Sequence, residues 1–201
     1  MKIITSVGSR LIHLYKATVE RQTQASLASG SQGGKISYPF VVSHPELISL
    51  GKNTNILGGS RIQLFPEMTC LQSRVQIGKE CLIGYRFCVL AGEEVIIGDN
   101  CSIASDVSIF SENHGIDPSE EKSYGNQQLQ VAPVKIGRGC WIGDKVIILP
   151  GITIGERSVI GGGAVVTKSI PAYSIAVGNP AKVIKKFNFE TKKWEKIKDN
   201  N

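Results

Sequence analysis

Along residues 136–163 the chain reads IGRGCWIGDKVIILPGITIGERSVIGGG, with isoleucine at 136, 142, 148, 154 and 160 and glycine directly behind four of them. A helix repeats its apolar face at three, four and seven residues and a half-buried strand at two, so neither explains an aliphatic at every sixth position. A hexapeptide period belongs to a parallel β-helix, in which short strands separated by turns wind into stacked coils and each coil covers the next. With three hexapeptides per coil, the column is triangular and each aliphatic points into a narrow interior. The glycine behind it lets the backbone turn and approach its neighbour. Four places on, the residue is small at Cys140, Val146, Ser158 and Ala164, as converging walls require.

The same register extends backwards through Leu50, Ile56, Ile62 and Met68, then Ile77, Ile83 and Val89, then Ile97, Ile103 and Ile109. It slips between 68 and 77 and between 89 and 97, as a corner can absorb, and breaks widely between 109 and 136. The wide break predicts an extruded loop at about 115–134, and such a loop inside a regular solenoid is commonly functional. Ahead of the coils the chain predicts a helix over about 4–27, a linker ASGSQGGK, and extended residues over 35–49. The expected organisation is a helical extension with its linker (1–34), a β-helix domain (35–186) and a basic tail (187–201).

With 201 residues and 41% apolar content, the chain suits one globular domain with short appendages. Its five cysteines are Cys70, Cys81, Cys88, Cys101 and Cys140, and three of them occupy the small slot of a hexapeptide. They read as reduced packing residues rather than disulfide partners or metal ligands. No signal-like run opens the sequence and no stretch is long enough to span a bilayer, so the expected location is cytoplasmic. Leu11, Ile12, Tyr15 and Val19 share one face of the predicted helix, to be packed on the column or laid against a membrane surface or a neighbouring subunit. The net charge of +6 is concentrated in Lys182, Lys185, Lys186, Lys192, Lys193, Lys196 and Lys198. Such a cluster attracts anions, but without an aromatic platform or a recognition helix, nucleic acid is not the expected partner.

Of three histidines only His114 falls within the coils, as the last residue of IFSENH before the excursion. An imidazole placed where a rigid coil hands over to a long loop is a candidate for proton transfer on a stiff scaffold. The hexapeptide run, this histidine and the string GCWIGDKVIILPGITIGERSVIGGGAVVTKSIPAYSIAVGNPAKVIKK resemble the left-handed β-helix hexapeptide acyltransferases, over about residues 48–186. The resemblance implies an all-β fold: a left-handed parallel β-helix, a triangular prism with a short N-terminal helix and a C-terminal tail. It implies a homotrimer with acyl-CoA clefts between neighbouring prisms, acetyl-CoA as co-substrate and no metal.

Within that resemblance His114 matches the family's general base, which takes the proton of an acceptor hydroxyl as the oxygen attacks a thioester. Glu112, Asp106 and Asp117 are near in sequence as partners for the ring. Trp141 matches the tryptophan beside the pantetheine arm, and Asp144 and Gly162 match positions along the same arm. Thr167 and Lys168 match contacts near the coenzyme's phosphate end. Lys182 and Lys185 match basic positions for the nucleotide phosphates, where many relatives carry arginine. Tyr85 and Arg86 are candidate acceptor contacts.

The loop containing EKSYG is similar to the branch that O-acetylates bacterial surface polysaccharides, whereas small-sugar members carry an asparagine where this chain has Gly84. The expected acceptor is thus a carbohydrate or sugar nucleotide. N-acetylation of an amino-sugar nucleotide is the alternative within the same scaffold, and a non-catalytic binding solenoid is another. A β-helix hydratase is disfavoured because it needs three gathered histidines.

Overall fold

The computed structural model describes residues 2–69 and 73–197, the side chains of 2–10 excepted; Cys70 and Lys198 lie outside the described residues. After one helix, α1 (Lys2–Ser26), the chain is almost entirely short strand. The strands form three parallel sheets that the chain visits in strict rotation. The first face stacks Ile36, Ile56, Ile83, Ile103, Ile142, Ile160 and Ala176 in register. The second stacks Val42, Ile62, Val89, Ile109, Ile148 and Val166. The third stacks Leu50, Ile77, Ile97, Ile136, Ile154 and Ile170. All of these except the half-buried Val42 are buried, so the sixfold period is the interior of the column.

The steps from the first face to the second, such as Ile83 to Val89 and Ile160 to Val166, are always one hexapeptide. So are the steps from the third face to the first, such as Ile97 to Ile103. Every irregularity falls at the remaining corner, where Val42 leads to Leu50, Ile62 to Ile77 and Ile109 to Ile136.

Two details of the sequence reading change accordingly. The coils begin earlier than Leu50, because Ile36 and Val42 already hold the register and the short 3-10 turn Pro45–Leu47 masks its continuation. Met68 is half exposed in a turn rather than inward, since it falls in the long corner between Ile62 and Ile77.

At the third-to-first corner a column of small residues is built into the wall. Thr54, Cys81, Cys101, Cys140, Ser158 and Ser174 are all buried. The first five each donate to a carbonyl of the following coil: Thr54 Oγ1 to Gly78 at 2.6 Å, then Cys81, Cys101 and Cys140 Sγ to Gly98, Gly137 and Gly155 at 3.2 Å each, and Ser158 Oγ to Pro171 at 2.8 Å. Before each of them the backbone turns with positive φ, at Asn53, Glu80, Asn100, Gly139, Arg157 and Tyr173. The glycine two places earlier in that turn has no spare room: a Cβ on Gly98 would lie 2.6 Å from the Arg138 nitrogen. Hydrogen bonding to Cys101 and burial hold the Cys81 thiol above its ordinary value. These cysteines are free and serve as packing groups, as their slot predicts.

Helix α1 touches the column through polar residues and through Tyr15, whose ring meets that of Tyr38 edge to face with centroids 6.1 Å apart. Glu20 accepts from the Tyr38 nitrogen at 2.7 Å and pairs with Lys35 at 3.6 Å, and Lys16 lies over the Tyr38 ring. Of the expected apolar face, Val19 is half-buried while Leu11, Ile12 and Tyr15 are exposed. Among the described residues no helix is long and apolar enough to cross a membrane.

At the far end the chain does not trail off as a tail. Strand Lys182–Asn188 pairs antiparallel with Ser174–Val177 on the first face, and Lys193–Lys196 folds back on it as a hairpin. Tyr173, Phe187, Phe189 and Trp194 stack edge to face with centroids 4.8–5.3 Å apart, which fixes the hairpin against the last coil.

Candidate active site

His114 follows the two-residue strand Glu112–Asn113, which pairs antiparallel with Gln130–Val131 at the root of the extruded loop. The root is pinned from below. Buried Ser111 donates to the Glu93 carbonyl at 3.0 Å and accepts from the Glu93 nitrogen at 3.1 Å. Gly92 lies under the same strand, where a Cβ would be 2.7 Å from that of Glu112. Inside the loop the buried Gln127 amide holds both directions of chain: its Oε1 accepts from the Asp117 nitrogen at 2.9 Å, and its Nε2 donates to the carbonyls of Asp117 at 2.8 Å and Lys122 at 3.3 Å. A side chain this deep with three bonds makes the loop a built object rather than a loose strap. Nothing in GNQQLQ distinguishes Gln127 from its neighbours as a sequence.

The His114 ring is exposed, and among the described residues no hydrogen bond fixes it. Of the three carboxylates near it in sequence, the structure leaves one for it. Asp106 receives both arms of Arg86 at 2.6 Å, which holds its carboxyl below the usual range. Asp117 is turned onto Ser119, at 2.8 Å to its nitrogen and 2.6 Å to its hydroxyl, and is likewise lowered. Glu112 is half-buried; burial pushes its carboxyl up and the charge of His114 pulls it back. The loop forms an open hollow of about 200 Å³ that starts at Gly115, the residue after His114, and is lined among others by Ile116, Asp117, Glu120, Gln128 and Leu129; His114 itself is not among its lining residues. Carboxylates and amides over an aliphatic floor offer hydrogen bonds and a C–H surface together.

The coenzyme positions lie elsewhere on the column. Trp141 stands outward on the first face, 59% exposed, so it is not a packing residue. It shares a lateral row with Val159, Ile175 and then Lys185. Asp144 and Gly162 stack at the first-to-second corner, where the Gly163 nitrogen donates to the Asp144 carbonyl at 2.7 Å and a Cβ on Gly162 would lie 3.2 Å from that oxygen. Tyr85 stands in the same column through Ser105: the Tyr85 nitrogen donates to Ser105 Oγ at 3.2 Å, and the Ser105 nitrogen to Asp144 Oδ1 at 3.1 Å. Tyr85 is exposed, and Arg86 spends its guanidinium on Asp106. Thr167 and Lys168 are exposed at the second-to-third corner, His114's own corner, two coils further along. Lys182 and Lys185 lie on the first strand of the hairpin.

One chain therefore divides the candidate residues into two sets. His114, Thr167 and Lys168 occupy the second-to-third corner, and Trp141, Asp144, Gly162, Tyr85, Lys182 and Lys185 lie on or beside the face opposite it. A rigid three-sided column does not bring these sets together. Among the described residues, no three His, Cys, Asp or Glu side chains converge as a metal would require.

This fold and these residues define a class, and comparison with known proteins identifies it. Residues 133–168 match the family model described as bacterial transferase hexapeptide (six repeats), and 74–111 match the hexapeptide repeat of succinyl-transferase. The chain belongs to the hexapeptide-repeat acyltransferase family and is an acyltransferase that uses coenzyme A as its acyl carrier. Galactoside O-acetyltransferase of Escherichia coli K12 is 33% identical over 168 residues, covering 81% of each chain. The putative lipopolysaccharide biosynthesis O-acetyl transferase WbbJ of the same organism is 35% identical over 168 residues, 80% of this chain and 83% of its own. Among solved structures, galactoside acetyltransferase in complex with coenzyme A superposes with a TM-score of 0.54 at 28% identity, over 86% of this chain and 70% of that one. AntD, an N-acyltransferase from Bacillus cereus in complex with dTDP and 3-hydroxybutyryl-CoA, superposes with a TM-score of 0.69 at 22% identity, over 85% and 89% of the two chains, and bears on the fold alone.

Proposed function

We propose that this protein transfers an acetyl group from acetyl-CoA to a hydroxyl of a carbohydrate, in the biosynthesis of a bacterial surface polysaccharide, as a cytoplasmic homotrimer of left-handed prisms. The observation that carries the reading is an exposed imidazole at the root of a braced loop, with the Glu112 carboxylate near it and a hollow in the same loop that starts one residue on. Two O-acetyltransferases, each alignable over about four-fifths of the chain, support the acceptor class. The division of the site supports the trimer: a neighbouring copy whose first face meets this corner supplies Trp141, Asp144 and Gly162 to His114. No single protomer holds a complete site on this reading.

His114, in its neutral form, accepts the proton of the acceptor hydroxyl as that oxygen bonds to the thioester carbonyl carbon. The tetrahedral centre then collapses, the carbon–sulfur bond breaks, and the proton held by His114 neutralises the departing thiolate. An acetyl ester and free CoA thiol result, without an acyl-enzyme. Glu112 stabilises the imidazolium while it exists. Such base assistance contributes roughly 10²–10⁴ in rate, and holding the two substrates together supplies much of the remainder.

The test is acetyl-CoA with a panel of oligosaccharides, sugar nucleotides and amino-sugar nucleotides, following free thiol and locating the new acyl group by NMR. Thiol release with hydroxyl acceptors and an ester signal supports the proposal. Release only with amino sugars, giving an amide, would replace it with N-acetylation.

A further inference from the structure

Helix α1 carries an apolar surface that the column does not cover. Its contacts with the column come from Tyr15 and Lys16 on the Tyr38 ring and from Glu20 on the Tyr38 nitrogen and Lys35, with Val19, Thr23 and Gln24 half-buried on the same side. Leu11, Ile12, Leu14 and Tyr15 are between 56% and 65% exposed. At 3.6 residues per turn these four span an arc of about 160°, most of it turned away from the side that meets the column. Such an arc is wider than the narrow seam by which two helices of a coiled coil mesh. By the same repeat Lys16 borders the arc on one edge and Arg21 on the other. Over residues 1–19 the sequence has Lys2, Arg10 and Lys16 and no acidic residue, and the first acid, Glu20, is engaged by Tyr38 and Lys35.

From this arrangement we infer that α1 is an interfacial anchor, which lays Leu11, Ile12, Leu14 and Tyr15 into the surface of an anionic phospholipid bilayer. A helix of this kind lies in the membrane plane, its apolar arc among the upper acyl carbons and its basic edges beside the lipid phosphates. The charge selects the lipid, because each Lys or Arg near the surface is drawn to anionic headgroups and no carboxylate on the segment opposes it. Tyr15, an aromatic ring with a polar tip, suits the headgroup level. A second copy of the chain fits the arc worse. Two arcs closed on each other would set Lys16 and Arg21 against equally basic edges, with no free carboxylate to answer them. In the threefold assembly proposed above the columns run parallel, so three such helices leave the same end and meet one surface together. The inference stands apart from the acyl-transfer reading, since it uses neither His114 nor any coenzyme position.

Co-sedimentation of the full chain with vesicles of phosphatidylcholine alone, and with vesicles of phosphatidylcholine and phosphatidylglycerol in equal parts, tests this. The wild type is expected to pellet with the mixed vesicles, to be released from them at high salt, and to bind pure phosphatidylcholine at least about tenfold more weakly. Leu11→Glu combined with Leu14→Glu should lower binding to the mixed vesicles at least about tenfold, because a carboxylate on the apolar arc resists burial in lipid. Arg21→Ala should lower it about fivefold. All three residues are exposed, so both proteins should keep the wild-type melting temperature and the wild-type rate of thiol release with water-soluble acceptors. A wild type that stays in the supernatant, a double variant that pellets as the wild type does, or equal binding to the two kinds of vesicle overturns the inference. A lower mass for the double variant in sedimentation velocity, with no vesicle binding by the wild type, would assign the arc to a second copy instead.

Discussion

Two corners of the same column are built by opposite rules. The third-to-first corner repeats without variation, and its buried hydroxyls and thiols hand a hydrogen bond from coil to coil from Thr54 to Ser158. The second-to-third corner also has hydroxyls bonded between coils, Ser43 to Leu64 at 3.3 Å, Ser73 to Gly92 at 2.8 Å and Ser111 to Glu93 at 3.0 Å, but they fall at no fixed position, and there the chain varies in length up to the excursion between Ile109 and Ile136. A corner that repeats one bonded turn in every coil cannot accept an inserted residue without leaving buried polar groups unpaired. A corner whose bonds are made differently in each coil can carry an insertion, and there His114 stands. Rigidity and chemistry are thus assigned to different edges of one scaffold.

The largest effect that would sharpen this contrast comes from His114. His114→Ala is expected to lower kcat by roughly 10²–10⁴, the worth of a general base. Its melting temperature and CoA affinity should stay at wild-type values; near-normal turnover by this variant would remove the imidazole from the mechanism.

At the strict corner the expected loss is in stability. Gly98→Ala places a Cβ 2.6 Å from the Arg138 nitrogen and 2.9 Å from its Cα. It should cost about 1–3 kcal/mol and lower the thermal midpoint by several degrees. Two glycines inserted after Glu121, in the loop, should scarcely move that midpoint, because lengthening an already long loop costs only tenths of a kcal/mol. Equal destabilisation by both changes would erase the distinction between the corners.

A smaller and more local effect is expected from Gln127→Ala. It leaves the Asp117 nitrogen and carbonyl without their partners, worth about 1–3 kcal/mol of local order. Faster hydrogen exchange confined to residues 115–130 and a raised KM for the acceptor should accompany an unchanged KM for acetyl-CoA. Loss of both KM values together would place the loop in general folding instead.

The smallest effect concerns pH. Arg86 lowers the Asp106 carboxyl, so this pair contributes stability above the ordinary carboxylate range and loses it as pH falls through the depressed value. Arg86→Ala should therefore lower the melting temperature slightly at neutral pH and leave it unchanged below the depressed value, which flattens the acid limb. The direction is the test, since Arg86 is exposed and Asp106 partly so.

Much of the column was legible because one residue in six is forced inward and the spacing survives along the chain. Ile142, Cys140 and Gly137 each betray their slot. Met68 misled for the same reason: it matches the spacing after Ile62, while the corner that removes it from the wall leaves no mark in the pattern. The exposed position of Trp141 follows from its place beside an inward isoleucine. The Arg86–Asp106 pair and the Gln127 bonds were not legible, because their partners are set by coil length and loop shape rather than by neighbours in sequence. The hairpin escaped because KVIKKFNF alternates as a strand does, outside the hexapeptide period, and its lysines drew attention to charge instead.

That hairpin also covers one edge of the last coil. A stack of parallel coils has no natural end, and the last one offers a row of free amides and carbonyls to any similar edge. By reversing direction after Val177 and closing on Lys193–Lys196, a short strand with two lysines and all four residues exposed, the chain replaces an inviting edge with a repulsive one on the first face. Molecules cut back to residue 181 would be expected to expose the Ser174–Val177 edge to pairing with a second copy, read as association by light scattering.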